Sequence, residues 1–436
     1  NIVYNINMSN RYLDIRPSNL PPTGKISFKS GNPVLTFNIG EDDMAQLKGR
    51  TLKLSGNFKI TIDGSTAPSS ANSTTAMDTE LGIYSVIDQL VLSSFRTKQT
   101  IEHIRHYNRF MKTYLPVVSS NQDMLGHMAQ TALTLPSDEA QQEAVVRQSN
   151  VNANSFCVFL PCGLLNGVDD FPLTQGLTID IHLAPDSAVL FNNNASATQN
   201  PDQQYELSNL KLTCETHRPV GDDLAKLQSS KTRGFEYQSI STYYSTINST
   251  NAILNYSLGM SRVQSVFMNI IPSKYLNNLA HNSMQTIYPL RSNGEVADIN
   301  QLIFTRGGER YPQNFNVDTT FKDSNGKVNN VVDPQAYRDF LNAVKTFTRL
   351  DRSIASPITT HPDIINDDAD GLMGGLVFGL GQSYTSTGDD GADFSRANWG
   401  LQMDCELTDD SPNSVFVFVH SKMTLLFNDN GIQVLK

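Results

Sequence analysis

The sequence repeats itself once, which confines the chain to architectures that carry one unit twice. Three anchors carry the repeat. Asp88-Gln89-Leu90-Val91-Leu92-Ser93 matches Asn300-Gln301-Leu302-Ile303-Phe304-Thr305 at an offset of 212 residues. Tyr107-Asn108-Arg109-Phe110-Met111 matches Tyr337-Arg338-Asp339-Phe340-Leu341 at an offset of 230. Leu177-Thr178-Ile179-Asp180-Ile181-His182-Leu183 matches Leu401-Gln402-Met403-Asp404-Cys405-Glu406-Leu407 at 224, and Asp186 and Asp410 continue it. Any one match is short enough to arise by chance, but three in the same order at nearly constant offset are not. The rise from 212 to 230 places 18 extra residues in the second copy around Gly307 to Val332, a stretch rich in Gly, Asn and Asp, as an exposed loop is.

A chain of 436 residues fits two units of about 200 residues better than one domain. The boundary falls in the polar stretch His217 to Gly234, where Pro219, Gly221 and several charges interrupt the apolar pattern. The expected domains are residues 1–220 and 221–436. Two repeats cannot build a solenoid, so they are expected side by side.

Each unit reads as all-β. From Leu52 to Ile62 the apolar residues Leu52, Leu54, Phe58, Ile60 and Ile62 alternate with polar ones or Gly56, the period of a half-buried strand, and Asp63-Gly64 supplies a turn. Similar runs are Leu35 to Ile39, Ile87 to Leu92, Phe156 to Leu160, Ile179 to Leu183 and Leu210 to Cys214. The second half adds Ile253 to Leu258, Val266 to Ile271, Gln301 to Thr305, Leu376 to Phe378, Val415 to Val419 and Met423 to Phe427. Charged residues are only 17% of the chain and Asn, Ser and Thr are abundant, a balance that suits strands joined by polar loops. Helical spacing is confined to two places. Asp333-Pro334 makes an N-cap and first turn for a stripe of Tyr337, Phe340, Leu341, Val344 and Phe347. Ile101, Ile104, Tyr107, Met111, Tyr114 and Leu115 form a second stripe, expected to end at Pro116.

The formal net charge of -10 gives no general attraction to phosphates, so specific nucleic-acid binding by the ordered chain is not expected. The chain opens on Asn1 rather than Met, which leaves a processed or missing upstream segment, and a basic arm within it, open. The longest weakly polar run, Gly371 to Gly381, is far short of the roughly 20 apolar residues of a spanning helix, and the chain reads as soluble. Cys157, Cys162, Cys214 and Cys405 are widely spaced, and buried free thiols are expected. The sequons Asn72-Ser73-Thr74 and Asn248-Ser249-Thr250 arise readily in a chain this rich in Asn and Ser.

Chemistry-bearing patterns are sparse. Phosphate-loop, nucleophile-elbow and zinc-helix motifs are absent. His103 and His106 stand three apart on the expected first helix and could face one metal, but no further ligand stands at a recognised spacing, which favours ordinary histidines. Asn366 to Gly371 resembles the opening of a calcium loop and offers a weak ion site at Asp368 and Asp370. Val377 at its twelfth place cannot supply the closing carboxylate, which favours a surface turn. Asp180 and Asp404 occupy matching places in the repeat and could serve as paired acids on a sugar, though polar positions of alternating strands ordinarily face solvent or an interface. Trp399 and Tyr243-Tyr244 could stack on a sugar, yet aromatics in β-sandwiches more often pack. The reading is of no catalytic, cofactor-binding or metal residues.

A strand running into a helix with Tyr107-x-x-Phe110-Met111 is followed by Phe156 to Leu160, Gly163-Leu164-Leu165-Asn166, Phe171-Pro172-Leu173 and Leu177 to Leu183. This order resembles the double jelly-roll major capsid proteins of tailless icosahedral double-stranded DNA viruses in the polinton-like virus, virophage and adenovirus lineage, closest to the first two. The resemblance implies two tandem eight-stranded jelly rolls with a few short helices in loops. It also implies a structural, non-enzymatic role: homotrimeric, pseudo-hexameric capsomers that tile a shell assembled inside the host cell. Penton and minor capsid proteins would be further partners, and an inner membrane contact stays open. The alternative is a two-domain β-sandwich that binds or degrades glycans. A third reading, a secreted adhesin or fibre, predicts glycans on the sequons.

Overall fold

The computed structural model describes residues 11–61, 75–78, 80–119, 123, 126–134, 154–192, 203–229, 234–279, 282–284, 299–311, 334–348, 380–384, 391–396, 400–407, 411–428 and 431–436. In the first half, besides several strands of two or three residues, eight longer strands form the two main antiparallel sheets: Arg11–Ile15 (β1), Val34–Ile39 (β2), Lys53–Thr61 (β3), Ile87–Ser94 (β4), Thr100–Ile104 (β5), Asn154–Phe159 (β6), Leu177–Leu183 (β7) and Gln204–His217 (β8). Their pairings give the orders β1-β8-β3-β6 and β2-β7-β4-β5.

The second half repeats the scheme with Gly234–Ile247 (β9), Asn251–Tyr256 (β10), Val263–Pro272 (β11), Ile299–Arg306 (β12), Glu309–Tyr311 (β13), Leu380–Ser383 (β14), Leu401–Leu407 (β15) and Asn413–Asn428 (β16). The orders are β9-β16-β11-β14 and β10-β15-β12-β13, the same positions shifted by eight. This is the strand order of a jelly roll, made twice. Gly431–Leu435 (β17) adds a strand to β16. Among the described residues no strand of one half pairs with a strand of the other.

The three repeat anchors fall on equivalent elements: β4 and β12, β7 and β15, and the helices Tyr107–Val118 (α1) and Pro334–Thr348 (α4), each following the fifth strand of its half. The shorter helices between them include Gly163–Gly167 (α2) and Asp222–Ser229 (α3), the latter in the expected linker. Gly307 and Gly308 form the exposed β12–β13 turn with φ of 55° and 88°, while residues 312–333 of the expected insertion lie outside the described residues.

Local sequence explains the strands. In β3, Leu54, Phe58 and Ile60 are buried while Lys53, Ser55, Asn57 and Lys59 are half-buried, the period-two pattern of a strand with one face on a core. Gly56 takes an inward place where a side chain would come within 2.8 Å of Leu210. There the β3–β8 ladder shifts register between Ser208 and Lys211, with Asn209 in the left-handed region. The outer edge of β2 is covered by the chain that precedes it. The Asn19 amide donates to the Val34 carbonyl at 2.7 Å and accepts from the Thr36 N–H at 3.0 Å, and the Ser18 N–H donates to the Thr36 carbonyl at 2.8 Å.

Several sequence expectations are corrected. Ile101 and Ile104 belong to β5 and not to a helix, because their spacing matches a helical stripe only by continuing into one that starts at Tyr107. Pro116 does not end α1, which runs on to Val118 and closes with the Ser119 N–H on the Leu115 carbonyl; lacking an N–H, the proline forfeits its own bond to the Lys112 carbonyl, and the turn around it holds. Val415 to Val419 and Met423 to Phe427 are one strand, since the polar His420 and Ser421 between them are themselves buried. Cys157 is exposed on β6, while Cys162, Cys214 and Cys405 are buried free thiols as expected. The Leu376 to Phe378 run, Asp63-Gly64 and the Asn72 sequon lie outside the described residues.

Asn19→Ala removes both bonds that cover β2. Stability is expected to fall by about 1–2 kcal/mol in urea unfolding, with increased light scattering as the bared edge pairs between molecules.

Candidate functional site

The most unusual local feature is α1, which belongs to the first half and is buried on every side from Tyr107 to Leu115, polar residues included. It lies on the outer face of the second half's β9-β16-β11-β14 sheet. On β11 and β16 the residues of one parity, Val266, Met268, Ile270, Val415, Val417 and Val419, fill the second sandwich. Those of the other parity meet α1 and α4. Phe110 packs on Phe267, Phe347 and Phe418 with centroids 6.2, 5.6 and 5.7 Å away. The Asn269 side chain donates to the Arg109 carbonyl at 3.0 Å and the Thr113 hydroxyl at 2.6 Å. Ser265 Oγ donates to the Ala343 carbonyl of α4 at 2.7 Å.

The seam is latched along its length. Glu102, on β5, accepts from Gly163 N–H at 3.0 Å and Leu164 N–H at 2.9 Å at the start of α2, and from Ile240 N–H of β9 at 2.9 Å. One buried carboxylate thus satisfies backbone donors of both halves. Gly163 and Gly167 are needed because a side chain at either would strike the backbone of Gln238 on β9. Tyr237 donates its hydroxyl to the Ile101 carbonyl at 2.9 Å. At another point Gln175 donates to the Gly431 carbonyl at 2.8 Å and Gln99 accepts from Ile432 N–H at 2.9 Å.

The grip is reciprocal, because residues 282–284 of the second half sit against the first. Lys112 lies 2.9 Å from Asp78 and 2.7 Å from Glu80, and Asn282 donates to Asp78 at 2.7 Å. Arg109 donates to the Ser283 carbonyl and lies over the Phe416 ring. Burial works against each charge. It pushes Glu102 up to about 7 against the pull of its three backbone donors. It pushes Glu80 up to about 7, opposed by Lys112, and brings Arg109 down to about 10. Burial alone would also raise Asp78 and lower Lys112, but their mutual attraction and hydrogen bonds outweigh it, leaving Asp78 below and Lys112 above the ordinary range.

The candidates from sequence do not converge. His103 lies on β5 with Nε2 2.8 Å from Gln89 Oε1, and His106 stands before α1 in the left-handed region, its ring 4.9 Å from Phe416. They are therefore not on one helix face. Asp180 accepts from Thr36 at 2.6 Å and Asp404 from Gln402 at 2.8 Å, each in its own half. Tyr243 and Tyr244 point to opposite faces of β9: Tyr243 packs on Tyr256 and half-exposed Tyr244 on Phe416. Trp399, Asp368, Asp370 and Asp410 lie outside the described residues. Among the described residues no group of three His, Cys, Asp or Glu could hold a metal ion. The seam residues Glu102, Lys112 and Asn282 carried no sequence signal, since a polar residue in a strand or helix reads as solvent-facing unless its partner is known.

No protein-family model and no curated protein sequence matches the chain. Solved structures do. The PBCV-1 virus capsid in its quasi-atomic model superposes with a TM-score of 0.54 at 10% identity over 100% of this chain and 98% of that one. The Faustovirus major capsid protein gives 0.55 at 8% identity, over 97% and 91% of the two chains. The Sputnik virophage structure gives 0.54 at 10% identity, over 98% and 88%. The chain has the double jelly-roll fold. The double jelly roll is matched from end to end, so the seam between its two sandwiches falls within the shared architecture.

Two outcomes follow from the buried charges. Glu102 and Glu80 have folded-state values raised from 4.5 to about 7, so their stabilising contribution is complete below pH 4.5 and is lost as pH rises through about 7. Asp78 acts only at lower pH, where its depressed value lies. Urea unfolding is expected to show less stability at about pH 8 than at about pH 5, with a smaller drop in Glu102→Gln. Lys112→Met leaves buried Asp78 and part-buried Glu80 without their cation and is expected to cost about 3–5 kcal/mol in the same assay. Adding Asp78→Asn and Glu80→Gln is expected to recover part of that loss.

Proposed function

We propose that the chain is the major capsid protein of an icosahedral double-stranded DNA virus, a structural subunit of the virion shell assembled in the host cell. The observation that carries the reading is the reciprocal seam. Two sandwiches of identical strand order, which we assign to domains 1–220 and 221–436, are locked into one body by a buried helix, an ion cluster and a shared carboxylate. A body with two similar lobes, taken three times around an axis, makes a capsomer of six similar lobes that can tile a hexagonal lattice. The end-to-end likeness to viral capsid proteins supports the same reading.

The partners are other copies of the chain, first in a homotrimer and then between capsomers, with penton and minor capsid proteins at special positions. No chemical step is assigned. The formal charge of -10 suits a shell that encloses DNA without gripping it. The scattered placement of Asp180, Asp404, Tyr243 and Tyr244 disfavours the glycan reading.

Light scattering coupled to size exclusion is expected to give three times the chain mass, and electron micrographs three-fold capsomers or shells. A stable monomer at high concentration, or binding of the purified chain to a glycan array, overturns the proposal.

A further inference from the structure

The two sandwiches differ at one edge. In the first, the second strand β2 is covered by Ser18 and Asn19, which the long connection from β1 folds back onto it. In the second, residues 248–250 alone join β9 to β10, too few to fold back, and among the described residues β10 pairs only with β15. Its outward side chains Asn251, Ile253 and Asn255 are all exposed, Ile253 at 65%. Its inward Ala252 and Leu254 are partly buried against the core.

The backbone of that edge is open in a definite register. The Leu407 N–H donates to the Thr250 carbonyl at 2.7 Å, which makes Thr250 and Leu407 a hydrogen-bonded pair. Hydrogen-bonded and non-hydrogen-bonded pairs alternate along an antiparallel ladder, so Ala252 and Leu254 also turn their amides to β15. Asn251, Ile253 and Asn255 turn theirs away from it. The Asn251 carbonyl accepts from Ser249 Oγ at 2.6 Å, and no described strand reaches the amides of Ile253 and Asn255.

Solitary edge strands ordinarily carry Lys, another charge or Pro to prevent pairing. Asn251 to Tyr256 has none of these. It is also symmetric in chemical type about Ile253: Asn251 mirrors Asn255, and Ala252 mirrors Leu254. We propose that β10 is a self-complementary contact strand through which two copies of this chain pair antiparallel about a twofold axis at Ile253.

In that pairing the two Ile253 amides exchange hydrogen bonds on the axis, Asn251 faces the partner copy's Asn255, and Ala252 fills beside the partner copy's Leu254. No charge meets its own image on the paired strands. The nearest acids, Asp404 and Glu406 on β15, stand opposite Ile253 and Asn251. Three strand spacings separate them from their mates, about 14 Å, beyond the screening length of roughly 8 Å at physiological salt. The inference rests on the capsid reading, in which copies in neighbouring capsomers meet edge to edge.

Cysteine cross-linking tests it in a Cys157→Ser chain, which lacks the exposed native thiol. Residues facing each other in a hydrogen-bonded pair have Cα atoms about 5.5 Å apart, within disulfide range. Ile253→Cys is expected to give a covalent dimer on mild oxidation. Asn251→Cys and Asn255→Cys are each expected to stay monomeric on denaturing gels and to cross-link when mixed. Tyr12→Cys, at a site 71% exposed, is the collisional control. Ile253→Lys should abolish the β10 contact without unfolding the chain, because the side chain is exposed. The proposal is overturned if Tyr12→Cys dimerises as fast as Ile253→Cys, or if Asn251→Cys cross-links to itself. Trimers with no Ile253→Cys dimer overturn it and leave the capsid reading standing. Ile253→Cys dimers from a chain that forms neither trimers nor shells sustain the contact and overturn the capsid reading.

Discussion

Everything in this molecule is arranged around the burial of α1. From Tyr107 to Leu115 this helix is amphipathic in sequence yet covered on all sides, so the residues of its polar face must find partners inside. Asn108 reaches the Ser85 carbonyl, Thr113 and the Arg109 carbonyl take the Asn269 amide, and Lys112 takes two carboxylates. The helix supplies the second sandwich with a layer on its outer face. That layer explains why β11 and the first nine residues of β16 are buried on both faces, when an antiparallel strand with one wet face would alternate.

The choice of buried ions over apolar groups fits registry better than bulk stability. A buried ion cluster is often no more stabilising than well-packed hydrocarbons, but breaking it is costly, so it penalises every arrangement except the right one. Here Asp78, Lys112 and Asn282 come from three separated parts of the chain, and Glu102 bonds backbone groups that only one relative placement of the sandwiches brings together. Aromatic packing between Phe110 and its neighbours supplies area; the polar contacts fix where that area meets.

How far this was legible in the sequence depended on whether the signal was local. The repeat anchors fall on equivalent strands and helices because each lies in a segment whose apolar spacing directly reports its secondary structure, and β3 shows its period in its letters. The start of α1 was misread because Ile101 and Ile104 on β5 happen to stand in helical phase with Tyr107. The division of β16 was misread because His420 and Ser421 look like a break until Thr346 and Phe347 of α4 are seen beside His420. The seam residues could not be found at all, since each is defined by a partner more than thirty positions away.

The first sandwich leaves the ribosome before the second exists. Throughout that interval the face of α1 that Phe267, Asn269, Phe416 and Phe418 will cover has nothing against it, and Lys112 lacks the Asn282 amide that completes its cluster. The sticky face is presented for the time needed to translate roughly two hundred residues, ten seconds to under a minute at typical elongation rates. The risk of mispairing is therefore greatest during synthesis, when the uncovered α1 face of one nascent copy can meet that of another.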